Sequence, residues 1–213
     1  MSRLPSYLKR FTGGERAVHH ATAILMIICL ATASALYIPA VATYVGRRDL
    51  IKPIHIYAGL ALPVPMLLGL ASRAFRGDLR RLNRFGPHDR DWLRRSDRRA
   101  VQIDGRGIVP IGKFNPGQKL SAAFFAGAIF VMLGTGLMLT FPNPWPTDWR
   151  TGATFVHDWL TLAIFVVFLG HLWFALQDRG AMTGMLTGRV PRDWAARHHP
   201  AWEKEEEDAH QRS

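Results

Sequence analysis

Four stretches of this 213-residue chain, residues 17–46, 53–72, 120–147 and 159–177, contain no Asp, Glu, Lys or Arg. Each is rich in Leu, Ala, Phe, Ile, Val and Gly, and each reaches roughly the 20 residues that a helix needs to cross a bilayer core. The pattern predicts four transmembrane helices, at about residues 17–38, 54–75, 117–141 and 155–177. Pro63 and Pro65 fall inside the second span and predict a kink there, because a helical proline frees a backbone carbonyl. Trp145, Trp149 and Trp159, with Pro142, Pro144 and Pro146, mark an interface ahead of the fourth span. The polar, Arg-rich loop at residues 76–111 includes one candidate short helix at residues 91–101, with Trp92 and Leu93 turned to the membrane. Beyond the fourth span, residues 179–213 form a tail whose last part, 203–213, reads as disordered from its charge. The fold class is therefore all-α integral membrane, a four-transmembrane-helix bundle over residues 1–178 followed by the tail.

Charge adds orientation. The chain carries 27 Lys and Arg against 16 Asp and Glu, a net charge of +11. Such a balance raises nucleic acid as a partner, but a nucleic-acid binder gathers its cations into a patch on one folded module. Here they segregate by loop. Four precede the first span (Arg3, Lys9, Arg10, Arg16), thirteen lie between the second and third, and six follow the fourth. The two remaining links hold three and one. That is the positive-inside pattern. Both termini and the long central link are expected in the cytoplasm, and no nucleic-acid partner is expected. The run around Ala33-Ser34-Ala35 resembles a signal-peptide cleavage site. The apolar stretch continues past it, and cleavage would remove His19 and His20, so it is read as a retained first span. The single cysteine, Cys29, excludes an internal disulfide and an iron–sulfur cluster, and no CxxCH motif offers covalent haem attachment.

Placement of the histidines is the most informative chemistry. His19 and His20 open the first span, His55 opens the second, and His157 and His171 lie near opposite ends of the fourth. A lone histidine in such a run is most simply a hydrogen-bonded packing residue; several in matching layers point elsewhere. Fourteen residues separate His157 from His171, about 21 Å along a helix, and leave the two rings within roughly 40° of one face. With the charge-derived topology, His19 shares a layer with His171, and His55 with His157. Zinc would ask for further Cys, Asp or Glu ligands, which the spans lack. A haem asks for two axial imidazoles only. The layers predict two b-type haems, with His55 and His157 on the outer one. On the inner one His171 pairs with His19 or His20, which cannot both face it because neighbours on a helix diverge by about 100°. His198 and His199 lie beyond the spans and are expected at a surface or subunit contact.

These residues resemble the gamma subunit of respiratory formate dehydrogenase, a membrane cytochrome b within the di-haem family that also serves nickel–iron hydrogenases. The resemblance runs over nearly the whole chain. It is carried by Arg16-Ala17-Val18-His19, by Pro53-Ile54-His55 with Gly59, by the box Gly112-Lys113-Phe114-Asn115-Pro116-Gly117-Gln118-Lys119, and by the spacing of His157 and His171. Arg179-Gly180, Met185, Gly188, Trp194 and His198-His199-Pro200 with Trp202 complete it. The resemblance selects His19 over His20. It implies an electron-transfer and quinone-reducing subunit of a multi-subunit enzyme whose formate-oxidising site is on another chain. The implied partners are a molybdenum- or tungsten-containing alpha subunit, an iron–sulfur beta subunit, membrane lipid and a quinone, menaquinone or ubiquinone. Electrons would enter at the outer haem and leave from the inner one. The implied quinone contacts are Asn115, Gly117, Gln118 and His171. A cytochrome b subunit of a hydrogenase, or of another periplasmic quinone-linked oxidoreductase, is the alternative. The box also has a purely structural meaning: Asn115-Pro116-Gly117-Gln118 would start a helix whatever the function.

Overall fold

A computed structural model describes residues 5–94 and 110–212. Helix α1 spans Gly13–Tyr37, the short α2 Pro39–Val45, α3 Arg48–Ala61 and α4 Val64–Gly69. Helix α5 spans Arg73–Leu82 and α6 Pro87–Arg94. The long helices α7, Pro116–Thr140, and α8, Thr147–Gln177, follow. Helices α9 Arg179–Thr187, α10 Arg192–His198 and α11 Pro200–Gln211 close the chain. Strand β1, Tyr7–Lys9, pairs antiparallel with β2, Arg189–Pro191.

Helix α1, the α3–α4 pair, α7 and α8 are each long and apolar enough to cross a membrane. Their starts have local causes. Helix α1 begins at residue 13, four residues ahead of expectation, because Thr12 and Glu15 form a capping box. The Glu15 amide donates to Thr12 Oγ1 at 3.3 Å, and the Thr12 amide to Glu15 Oε2 at 2.7 Å. Helix α1 ends before Pro39, with Ile38 extended as a residue preceding proline must be. The expected kink lies at Leu62–Pro63, where the Leu62 amide bonds to Gly59 O in place of the residue four back. The fourth helix starts at 147 rather than 155, because its first two turns are polar and stay helical beyond the apolar run.

The chain forms two compact units. The first comprises Ala17–Ser72 and Phe124–His171. Its helices pack around Met26, Leu30, Leu62, Ala128, Ile129 and Ile164. Large apolar side chains such as Ile24, Phe130 and Val166 point outward. Lipid tails accept such side chains without the penalty that water exacts.

The second unit draws on Met1–Arg16, Arg73–Ala123 and Leu172–Ser213, and it departs most from expectation. The tail is no loose appendage: β2 pairs with β1, and Val190, Trp194, Ala195 and Trp202 bury a core with Leu8. Residues 203–211 are helical rather than disordered, because Trp202 anchors the helix at 1% exposure and Arg192 pairs with Glu203 and Glu207. The loop expected at 76–111 holds most of α5 and all of α6. The short helix placed at 91–101 begins at Pro87 instead, and its residues 95–101 lie outside the described residues. Trp92 is not lipid-facing but buried, clustered with Ile111. His199 is not at a surface either. At 2% exposure it accepts from Arg10 Nη2 at 3.1 Å and donates from Nδ1 to Gly112 O at 2.7 Å. Burial, then the Arg10 charge, hold its pKa well below the usual histidine value, so it stays neutral.

Gly188 closes α9 in the left-handed region, at φ +82°, and a Cβ there would lie 2.5 Å from Phe11 O. Its own carbonyl accepts from the amides of Arg10 and Phe11. Replacing it with alanine should cost about 2 kcal/mol or more, from positive φ and the clash together. The expected outcome is a lowered unfolding midpoint in detergent by tryptophan fluorescence; an unchanged midpoint would show that this turn does not hold the unit together.

Candidate functional site

In the helical unit, α8 carries His157 and His171 fourteen residues apart, and each meets a ring from another helix. The centroids of His55 and His157 are 6.3 Å apart. Those of His19 and His171 are also 6.3 Å apart. His19 is the ring that stands opposite His171, while His20 lies 5.5 Å from His19 along the same helix. The contact thus distinguishes the two adjacent histidines, which layer depth alone does not.

The spacing has a chemical meaning. A metal held between two imidazoles by bonds of about 2 Å separates their ring centroids by roughly 6 Å. Direct hydrogen bonding between the rings would bring the centroids closer. Among the described residues no group of three or more His, Cys, Asp or Glu side chains is placed to hold a metal ion. An ion that takes all its ligands from protein therefore fits poorly, and an iron with four equatorial nitrogens from a macrocycle fits well.

Sequence reading missed two residues that support this geometry. Thr32 Oγ1 lies 2.8 Å from His55 Nδ1, and Thr135 Oγ1 lies 2.9 Å from His157 Nδ1. Each hydroxyl spends its own proton on a carbonyl one turn back. Thr32 donates to Ile28 O at 2.6 Å, and Thr135 to Val131 O at 2.8 Å. Each oxygen is thus left to accept, so each Nδ1 carries the proton and Nε2 keeps its lone pair for a metal. This is the outer support that metal-binding histidines ordinarily have. The available signal was a threonine in an apolar run, but its partner lies 22 or 23 positions away, so spacing within one helix could not reveal it. Gly136 lies beside the ring: a Cβ there would sit 3.5 Å from His157 Cε1, an ordinary contact.

The box residues lie in the other unit. Asn115 Oδ1 accepts from the Gln118 amide at 2.9 Å, and Gln118 Oε1 accepts from the Asn115 amide at 3.0 Å. The capping box read from sequence is therefore present. It uses both side-chain oxygens; Asn115 Nδ2 and Gln118 Nε2 take no part in it. Gly117 lies beneath the Trp92 ring, where an added Cβ would come 3.3 Å from Asn115 Oδ1 and 3.6 Å from Trp92 Cη2. Just ahead, Lys113 Nζ pairs with Asp78 at 2.5 and 2.7 Å. A cleft of about 320 Å³ borders Gly112, Lys113 and Phe114. Thus Asn115, Gly117 and Gln118 are brought together, and His171 belongs to the helical unit.

Comparison with known proteins bears on these features. Residues 10–188 match the family model described as prokaryotic cytochrome b561. Over 105 residues the chain is 31% identical to the formate dehydrogenase, nitrate-inducible, cytochrome b556(Fdn) subunit of Escherichia coli (strain K12). That match covers 48% of each, so the chain spans about half the length of this curated relative. It is 26% identical over 204 residues, 92% of each, to the formate dehydrogenase, cytochrome b556(fdo) subunit of the same organism. A formate dehydrogenase, cytochrome b556 subunit of Haemophilus influenzae is 30% identical over 102 residues, 46% of this chain and 43% of the relative. The family match takes in all four facing histidines and the Asn115 box, and the b-type haem implied by the family name is the group the facing imidazoles fit. The chain belongs to the prokaryotic cytochrome b561 family.

Proposed function

We propose that this chain is the membrane-anchoring cytochrome b subunit of a formate dehydrogenase complex, carrying two haem b and reducing a quinone. The observation that carries the reading is the pair of facing imidazole contacts, at one spacing and at two levels of α8. His55 with His157 would hold one haem, and His19 with His171 the other. Bound there, each haem supplies reversible one-electron transfer. Electrons would pass from the iron–sulfur partner of a molybdenum- or tungsten-containing catalytic subunit to the first haem, then to the second, and on to menaquinone or ubiquinone.

Loop charge supports a cytoplasmic side for both termini and for the Asn115 box. The His19–His171 level then lies toward the cytoplasm, and quinone reduction with it, in a bacterial inner membrane. Asn115, Gly117, Gln118 and His171 are the proposed quinone contacts. Asn115 and Gln118 keep amide donors outside their cap, and the start of a helix favours the developing negative charge on a quinone oxygen. Formate as the donor rests on the names of the relatives. A hydrogenase partner would use the same histidine layers.

Alanine at His55 or His157 should halve the haem content by pyridine haemochrome, and alanine at His19 or His171 should remove the other half. Formate added to the intact complex should raise the reduced α band of the wild type. If hydrogen reduces the haems and formate does not, the donor assignment is wrong; four alanine variants with full haem content would discard the ligand assignment.

Valine at Thr32 or Thr135 removes the acceptor for one Nδ1–H and makes that imidazole a weaker base. The expected result is a raised midpoint potential for the haem of His55 and His157 alone, with haem retention weakened about tenfold. Serine should restore both. A potentiometric titration that superimposes on the wild type would remove the threonines from this role.

Asn115→Asp keeps a capping oxygen but removes the Nδ2 donors. Quinol formation should slow while haem content stays full. Asn115→Ala also loses the cap, at about 1 kcal/mol of helix stability. Wild-type quinone kinetics in the aspartate variant would leave the box as a helix start and nothing more.

A further inference from the structure

Reducing a quinone to a quinol consumes two protons along with two electrons, and the protons must come from the side where the quinone sits. Within the unit that holds the Asn115 box, one cluster is built to hold a proton. Asp78 and Glu15 are 8% exposed each. The Glu15 charge acts on the Asp78 carboxyl. Two neighbouring like charges disfavour ionisation of both groups at once. Glu15 Oε2 is taken by the amide and hydroxyl of Thr12, at 2.7 and 2.8 Å. Glu15 Oε1 is buried with no hydrogen-bond donor among the described residues.

The third member is Lys113, whose Nζ bonds both Asp78 oxygens. Lys113 stands two residues before Asn115 and borders the cleft at Gly112 and Phe114. The groups acting on Asp78 are thus Lys113 from the box and Glu15 from α1, with Arg10, after β1, close enough to feel its charge. Burial, opposed by Lys113 and reinforced by Glu15, pushes the Asp78 carboxyl up to about 6. Such a value lets the group both hold and release a proton near neutral pH.

We propose that the Glu15–Asp78 carboxyl pair, held by Lys113, is the proton relay that exchanges protons between cytoplasmic water and the quinone at the Asn115 box. This rests on the quinone reading above. In the reducing direction the carboxyl O–H bond breaks as an O–H bond forms on the reduced quinone oxygen, and the carboxylate is reloaded from water in the cleft beside Lys113. The second proton follows by the same route. Both electrons come from the donor by way of the haems. A purely structural cluster would anchor α5 and α1 to the box and leave proton exchange to water.

The test runs the reaction backwards, so that it does not depend on formate. A soluble quinol is mixed with the oxidised, intact complex and haem reduction is followed by stopped flow from pH 5 to 8. Quinol oxidation needs a base, so the wild-type rate should rise as pH passes through about 6. Asp78→Asn should slow it about tenfold or more above that pH and flatten the profile. Asp78→Glu should restore most of the rate. Glu15→Gln keeps the capping box with Thr12, since glutamine serves at that position, and carries the test if Asp78→Asn does not fold. It should shift the profile without changing haem content.

Wild-type rates and an unchanged profile in both variants would overturn the relay while leaving the quinone reading intact. Quinol that reduces the haems where formate does not would overturn only the donor. A wild type that quinol cannot reduce would overturn the quinone reading and the relay with it.

Discussion

An imidazole set among apolar side chains has two nitrogens to satisfy and no water to satisfy them, and the helical unit is arranged around that requirement. A buried polar atom left without a partner costs more than most contacts return. At His55 and His157 one nitrogen is met by a threonine hydroxyl whose own proton is already committed to the helix backbone. The other nitrogen of each ring is thereby fixed as an acceptor. Two such rings 6.3 Å apart offer acceptors that suit an electrophile such as a metal. The threonines therefore do more than orient the rings: they leave the site wanting a metal. The two rings come from different helices, α3 and α8.

A second buried polar group organises the other unit. Arg10 is 3% exposed and makes no carboxylate contact close enough to be an ion pair among the described residues. Burial pulls its pKa down to about 10 despite the fields of Asp178 and Asp78. The guanidinium lies over Trp194, 4.7 Å from the ring centroid, with Phe11 and Trp202 also within reach. One nitrogen, Nη2, bonds Lys113 O and His199 Nε2. A single side chain thus joins the N-terminal strand, the box and the tail. Lys113 is fixed through its backbone by Arg10 and through its ammonium by Asp78, and both constraints act two residues ahead of the Asn115 cap.

The legible parts of this protein were those written in local runs. Absence of charge over some twenty residues gave four helices, and Pro116–Thr140 fell within one residue of the expected span. The Asn115–Gln118 cap and the break at Leu62–Pro63 were equally local. What stayed hidden depended on pairing distant residues. The charge of residues 203–213 reads as disorder, yet order there comes from Trp202 burial and from Arg192, contacts that composition does not record. The Arg-rich, polar loop around Trp92 points it to the membrane surface, but Ile111 and Gly117 lie against it. The threonine partners of His55 and His157 were hidden for the same reason.

The same distinction governs what the candidate site can be made to say. Histidine spacing on one helix, fourteen residues, is a local fact and was enough to suggest two levels. The ring opposite each is a tertiary fact: the 6.3 Å contact of His19 with His171, beside the neighbouring His20, is what separates one histidine from the next. Asn115 shows the converse. Its cap is local, and it accounts for Oδ1 completely, so capping by itself gives no reason to prefer asparagine over aspartate or serine, which cap as well. Asparagine differs from both in holding an amide nitrogen with two protons and no charge. At the proposed quinone site, a neutral donor at a helix start would suit a neutral oxygen that becomes negative on reduction, where aspartate would repel that charge.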